Sequence, residues 1–202
     1  MISTIDGKTV SGNRDESVVD LGSATDHEAM RRLETLADAV MIGAGTLRSS
    51  GPVWNPRSKI RVVVTAHGNV PFDSAFLTNG RPYLAVPKDN ATEIPPNVGK
   101  LKAGQGTVDF VSLFQQLRSL GVRTLLVLGG SELNGQLLHL DLVDELFLTM
   151  APKIKLGRDL PTYAGGEPLD RKNLLSFELV EHHVAGGEVF LRYRRERELV
   201  GH

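Results

Sequence analysis

Apolar residues along this chain fall into short unbroken runs separated by segments with helical spacing, and the pattern changes near the end. Residues 145–151 read as a strand, and residues 39–42, 60–65, 83–86 and 124–128 are mostly apolar without alternation. That is the signature of strands covered on both faces, as in a parallel sheet. Residues 108–111 read as a further short strand, and residues 1–5 as the end of one, with Asp6-Gly7-Lys8 turning out of it. Between the strands, Ala29, Met30, Leu33, Leu36 and Ala37 recur at helical spacing behind Thr25-Asp26-His27-Glu28, which reads as a capping box. Leu113, Phe114, Leu117 and Leu120 predict a helix ending at Gly121, and Ser131 opens another. Residues 11–24 and 87–106 carry Ser, Gly, Asp, Pro and Asn and read as loops, while Pro71, Phe72 and Phe76 anchor a surface excursion. The last segment differs: residues 177–184 and 189–193 flank Ala185-Gly186-Gly187-Glu188, a turn signal for an antiparallel hairpin. The expectation is an α/β fold, a mostly parallel central sheet flanked by helices with a C-terminal antiparallel hairpin, in one domain over residues 1–202.

Bulk properties narrow the function by exclusion. At 202 residues, with 41% apolar and 23% charged residues, the chain is an ordinary globular domain with length enough for a real core. A formal net charge of -1 gives no electrostatic case for nucleic acid or an anionic membrane. Arg192, Arg194, Arg195 and Arg197 bunch near the end, but Glu196 and Glu198 interrupt them, as on a solvated strand face and tail. The absence of cysteine excludes disulfides, thiolate metal sites and cysteine nucleophiles. No apolar run reaches the roughly 18 residues of a membrane span, and the first residues lack a basic region and cleavable apolar stretch, so the cytoplasm is the default expectation.

Candidate chemistry gathers at two strand-to-helix junctions built from glycine. Gly129-Gly130 follows the run 124–128 and precedes Ser131-Glu132-Leu133-Asn134; Gly43-Ala44-Gly45-Thr46 follows the run 39–42. Glycine lets the backbone turn sharply and lets a ligand approach, and the free amides of a helix start favour phosphate. Two such junctions suit the two ends of a dinucleotide. The Rossmann fingerprint is incomplete, because Arg48 stands where a third glycine belongs. The strand ending in Thr65-Ala66-His67 offers no carboxylate for a ribose hydroxyl, and such small polar or basic groups suit the 2′-phosphate of NADP better. No P-loop is present. The six histidines form no metal pattern, since His182 and His183 are strand neighbours facing opposite ways, and no metal is expected. Asp6 and Lys8 place an acid and a base at a strand end, or else form a plain Asp-Gly turn. Trp54 and Arg57 offer an aromatic platform beside a guanidinium for a flat anionic heterocycle, or else merely cover the core.

Taken together these segments resemble the reductase domain of riboflavin biosynthesis, the C-terminal domain of the bifunctional deaminase-reductase, which has a dihydrofolate-reductase-like fold. Ser3-Thr4-Ile5-Asp6-Gly7-Lys8 is similar to the family's S-x-D-G-K/R opening, and residues 37–46 to its A-D-A-hydrophobic-G-x-x-T segment. Gly129-Gly130-Ser131-Glu132-Leu133-Asn134 matches G-G-x-x-L-N, and Leu142-Val143-Asp144-Glu145-Leu146 matches L-V-D-E-L. The resemblance implies an NADPH-dependent reductase that converts a ribosylamino-pyrimidine, 5-amino-6-ribosylaminouracil phosphate in the family reaction, to its ribitylamino form. It implies that Gly43, Gly45, Thr46, Ser50 and Thr65 lie along the cofactor and that Gly129, Gly130, Ser131, Glu132, Leu133 and Asn134 wrap its phosphates and ribose. Trp54 and Arg57 would then meet the substrate, with Asp6 and Lys8 as catalytic candidates for supplying a proton. A homodimer is also implied; family members commonly carry several more strand residues before the segment that matches Met1, so either the first strand is short here or the true start lies upstream.

The departures fall in the substrate half. Leu128 occupies the place of a glutamate that engages substrate, Glu34 that of an arginine, and Ser49, Ser50 and Gly51 replace loop acids. Each exchange removes or reverses a charge that pairs with a polar ligand. Two rival readings follow: a dihydrofolate-reductase-like activity, for which Glu34 is the nearest candidate acid although a solvated helix carboxylate is its expected role, and a non-catalytic NADP-binding dimer.

Overall fold

The computed structural model describes residues 1–13 and 20–197, which form two compact units. The first comprises residues 27–130 and is built on a parallel sheet. Its strands are β2 (Ala39–Gly43), β3 (Ile60–Val64), β4 (Arg81–Val86), β5 (Gly99–Lys102) and β6 (Leu125–Val127), following β1 (Ile2–Thr4) of the other unit. They lie in the order β5-β4-β3-β2-β6, every neighbouring pair parallel. Ala39, Val40, Met41 and Ile42 are fully buried, as the unbroken apolar run predicts for a central parallel strand. One core joins Val40, Ile42, Leu47, Val63, Phe76, Leu77 and Leu84, each large side chain stabilising the unit by roughly 1.5–3 kcal/mol on burial. Asp38 fixes the entry of β6: its carboxylate accepts from the amides of Arg123 at 2.9 Å and Thr124 at 2.8 Å.

Helices α1 (Ala24–Leu36), α2 (Ala44–Ser49), α3 (Ala75–Thr78) and α4 (Phe110–Ser119) connect the strands. Three sequence expectations are corrected in this region. Residues 108–111 are not a strand: Asp109 caps α4, its carboxylate accepting from the Ser112 amide at 3.1 Å, and Phe110, Leu113 and Leu117 are buried at helical spacing. The strand instead lies in the expected loop, at β5, an edge strand whose Gly-Lys-Leu-Lys sequence buries only Leu101. On α1, Leu36 is 76% exposed whereas Glu34 is 2% exposed, because Glu34 follows Met30 by four residues and shares its face.

The second unit comprises residues 1–13, 20–26 and 131–197. It holds α5 (Ser131–His139), β7 (Glu145–Ala151), β8 (Phe177–Ala185) and β9 (Glu188–Arg195), with sheet order β1-β7-β9-β8. β1 runs parallel to β7, and β9 antiparallel to both β7 and β8. The hairpin turns on Gly186 and Gly187 with φ of 58° and 84°, the left-handed pair that a tight two-residue turn needs. The expected capping box at Thr25 is not formed. Ser23 caps α1 instead, its hydroxyl accepting from the amides of Thr25 and Asp26, and that hydroxyl donates to Glu188 at 2.6 Å.

Candidate active site

In the parallel-sheet unit the chain winds from β2 through β5 in one direction, then returns to place β6 on the other side of β2. The sheet therefore reverses its winding between β2 and β6, and ligands of open α/β sheets gather outside the strand carboxyl ends at such a point. Both glycine junctions stand there. The Gly43 amide donates to the Gly129 carbonyl at 2.8 Å, extending the ladder in which Leu128 donates to Met41. Gly129 has φ of 96° and its peptide to Gly130 is cis. A Cβ on Gly130 would lie 3.0 Å from the Thr46 hydroxyl, while one on Gly45 would meet only the Arg48 guanidinium at 3.9 Å. Gly43, Gly45, Thr46, Gly129 and Gly130 thus form one constellation. Its local cause is the alignment of β2 with β6, Met41 opposite Val127, which brings the two bends level.

Ser50 and Thr65 have different duties. The Ser50 hydroxyl donates to the Thr46 carbonyl at 2.7 Å and closes α2. The Thr65 hydroxyl accepts from the amides of His67 and Gly68, shaping the turn after β3. Beyond that turn opens a cleft of about 460 Å³ lined by Ala66, His67, Pro87, Asp89, Asn90 and Thr92. Asn90 braces it, donating to the Ala66 carbonyl and accepting from the Thr92 amide. The cleft lies past the ends of β3 and β4, on the same strand-end edge as the glycines. Sequence reasoning missed its second wall; the signal was the polar run Lys88-Asp89-Asn90 directly after an apolar strand.

Trp54 packs on the core, its ring 5.3 Å from that of Phe76, and Arg57 is exposed. Their loop is held from beneath by Glu34, whose carboxylate accepts from the Arg57 amide at 3.0 Å and whose carbonyl accepts from the Ser58 hydroxyl at 2.6 Å. Glu34 Oε1 is buried without a partner among the described residues. The expectation of a solvated Glu34 is therefore wrong; it is an internal prop of the loop. Arg61 completes the prop, its guanidinium donating to the carbonyls of Ser58, Ala75 and Pro56.

In the hairpin unit Ser131 and Glu132 line a second cleft, about 220 Å³, with Arg158, Pro161, Thr162 and Gly165. Leu133 is a core residue at 5% exposure, and the Asn134 amide donates to the Tyr163 carbonyl at 2.7 Å. The last two members of the motif therefore hold α5 in place. Asp6 accepts from the Thr4 hydroxyl at 2.6 Å and from the amides of Lys155 and Leu156 at 3.1 and 2.8 Å. These bonds, the Thr4 hydroxyl foremost, hold its pKa at about 2, so at neutral pH it is a carboxylate with no proton to donate. Lys8 pairs through its backbone with Thr162, and its ammonium has no partner among the described residues. Also among the described residues, no group of His, Asp and Glu could hold a metal ion, and no helix is long and apolar enough to cross a membrane.

The family model of the RibD C-terminal domain matches residues 1–191. The chain belongs to this family. It is 30% identical over 206 residues to the 2,5-diamino-6-ribosylamino-4(3H)-pyrimidinone 5′-phosphate reductase of Aquifex aeolicus, covering 94% of this chain and 92% of that one. Among solved structures it is similar to Acinetobacter baumannii RibD, with a TM-score of 0.78 at 19% identity, covering 97% of this chain and 56% of that one. It is also similar to a pyrimidine reductase-like protein of Corynebacterium diphtheriae, with a TM-score of 0.75 at 20% identity, covering 98% and 90%. These likenesses establish the dihydrofolate-reductase-like fold of this RibD C-terminal domain and agree with its parallel sheet and C-terminal hairpin.

Proposed function

We propose that this RibD C-terminal domain is an NADPH-dependent reductase that converts a ribosylaminopyrimidine 5′-phosphate to its ribitylamino form. The observation that carries the reading is the Gly43–Gly129 joint at the winding reversal of a parallel sheet, with an open cleft farther along the same edge. The residues fit the cofactor: a Cβ at Gly130 would crowd the Thr46 hydroxyl, a Cβ at Gly45 would meet only the end of Arg48, and the cleft beside His67 has the size and polarity for an adenosine end. Gly43, Gly45, Thr46, Gly129 and Gly130 would hold the diphosphate, Ser131 and Glu132 a ribose, and the turn shaped by Thr65 the 2′-phosphate. When bound, NADPH supplies the hydride; the protein's contribution is placement of the acceptor carbon against it. Lys8, whose ammonium has no partner among the described residues, is the side chain suited to move a proton, and Asp6 is not. Trp54 and Arg57 would receive the pyrimidine and its phosphate, on a loop that Glu34 fixes.

The relatives' name points to the diaminopyrimidinone as acceptor, so that compound and the corresponding aminouracil are the two to compare. The decisive assay follows loss of NADPH absorbance with each acceptor and with dihydrofolate. Turnover with a ribosylaminopyrimidine upholds the proposal, and turnover with dihydrofolate alone replaces it. Saturable NADPH binding with no turnover on any acceptor leaves the non-catalytic reading. Glu34 argues against the dihydrofolate reading, because a carboxylate 2% exposed beneath its own loop does not reach a ligand.

We further propose that the domain acts in the cytoplasm as a homodimer. Exposed Leu179, Val180 and Val184 on the edge strand β8 supply an apolar surface for a second copy. Light scattering behind size exclusion gives the mass that decides between one chain and two.

A further inference from the structure

In the hairpin unit the turn after β1 is stitched to the loop after β7 at two places. At the first, the Asp6 carboxylate accepts from the Lys155 and Leu156 amides. At the second, the Thr9 amide donates to the Pro161 carbonyl at 3.0 Å, its hydroxyl donates to the carbonyls of Pro161 and Thr162, and Lys8 bridges Thr162. Residues 158–160 lie between the stitches, and with Pro161 and Thr162 they form one wall of the cleft whose other wall is Ser131 and Glu132.

The first stitch holds an unfavourable conformation. Leu156 has φ of 60° and its side chain is 68% exposed. A branched L-residue resists that left-handed region, and an exposed side chain offers little packing in return. The Asp6 bond to its amide is the compensating contact, and Thr4 fixes Asp6 from behind, its hydroxyl donating to Asp6 while accepting from the Lys8 amide at 2.8 Å.

We propose that Asp6 is a positioning residue: by pinning Lys155 and Leu156 it sets segment 158–162 at the height that opens the cleft at the start of α5 to NADPH. The inference rests on the reading that this cleft belongs to the cofactor site. It assigns the acid of the Asp-Gly-Lys turn a role distinct from proton transfer.

The test compares Asp6→Asn, Leu156→Gly and the double variant in the full chain by NADPH titration, pH profile of kcat, and amide hydrogen exchange. Asparagine keeps the size but loses the charge and one acceptor oxygen, so the NADPH Kd should rise about tenfold. Exchange at residues 155–162 should quicken, and the pH profile of kcat should keep its shape. Glycine takes the left-handed conformation freely, so the double variant should recover most of the affinity. A profile that loses one limb at unchanged Kd would make Asp6 a proton-transfer group and overturn the proposal. Unchanged exchange, or a double variant as weak as Asp6→Asn, would overturn it as well. If the wild-type chain binds no NADPH, the cofactor reading fails, and exchange alone then judges the clamp, faster in Asp6→Asn upholding it and unchanged overturning it. Should Asp6→Asn not fold, Thr4→Val carries the test, with roughly a threefold rise in Kd and faster exchange expected from loss of one bond to a carboxylate; no change in either overturns the proposal.

Discussion

The Gly43 amide and the Gly129 carbonyl meet at 2.8 Å, joining the two glycine bends of the parallel sheet into one backbone surface. Thr46 packs against that surface, 3.0 Å from where a Gly130 side chain would begin. Gly130→Ala should therefore displace the Thr46 hydroxyl and intrude on the space assigned to the diphosphate. We expect an NADPH Kd at least about tenfold higher, with a loss of only about 1 kcal/mol in stability. Gly129→Ala differs: φ of 96° makes any side chain there cost roughly 1–2 kcal/mol. Calorimetric titration alongside chemical denaturation separates the two effects, and equal affinity in Gly130→Ala would remove the constellation from the cofactor site.

The glycine bends were legible in the sequence because their sign is local: an apolar run, then glycine, then a helix start. The strands β2, β3 and β4 were legible because burial on both faces leaves a nearly unbroken apolar run, whereas β7, mostly half-buried, was legible from its apolar content alone. The bonds that hold Asp6 were not legible because its partners Lys155 and Leu156 lie 149 and 150 residues away, and an Asp-Gly turn looks alike with or without them. Glu34 was misread because a charged residue on a helix reads as solvated until the loop at Arg57 and Ser58 covers it. β5 hid behind its two lysines, which an edge strand tolerates and a central one does not.

Gly135 lies on α5 where the backbone of Gly165 presses closest. A Cβ at Gly135 would stand 1.7 Å from the Gly165 carbonyl oxygen, and Gly165 donates its amide to the Ser131 carbonyl at 3.0 Å. Backbone cannot step aside as a flexible side chain does. Gly135→Ala should cost about 3 kcal/mol through overpacking, despite alanine's better helix propensity. Thermal unfolding would show it as a lower midpoint. An unchanged midpoint would mean that α5 and the 165 segment are not in this contact.

Ser23 and Glu188 fasten the start of α1 to the hairpin. The buried Glu188 carboxylate accepts from both the amide and the hydroxyl of Ser23, at 2.8 and 2.6 Å. Ser23→Ala removes the cap and leaves one carboxylate oxygen of Glu188 without that donor. The two losses together should cost about 2–4 kcal/mol. Threonine at the same position should retain most of the stability, because its hydroxyl can make both contacts. Denaturant midpoints for the two variants check this, and equal losses would show that the hydroxyl is not the cause.

The Asp6 clamp predicts a specific response to acid. Its pKa in the folded chain is about 2, below the usual carboxylate value near about 4 in an unfolded chain. The folded form therefore binds the proton more weakly, and the contribution to stability is fully present above pH about 4 and fades as pH falls towards about 2. Asp38 and Glu145 also have lowered pKa values, through the Thr124 and Arg123 amides and through Arg192 respectively, so overall stability should fall over the same acid range. Asp6→Asn isolates one share of that fall. At neutral pH the variant should melt below the wild type, and the gap should narrow as the medium is acidified and added salt should reduce it, since solvent reaches the carboxylate. Parallel melting curves across the acid range would show that Asp6 does not bind its proton more weakly in the folded chain, and the three hydrogen bonds would then lack the strength that the clamp requires.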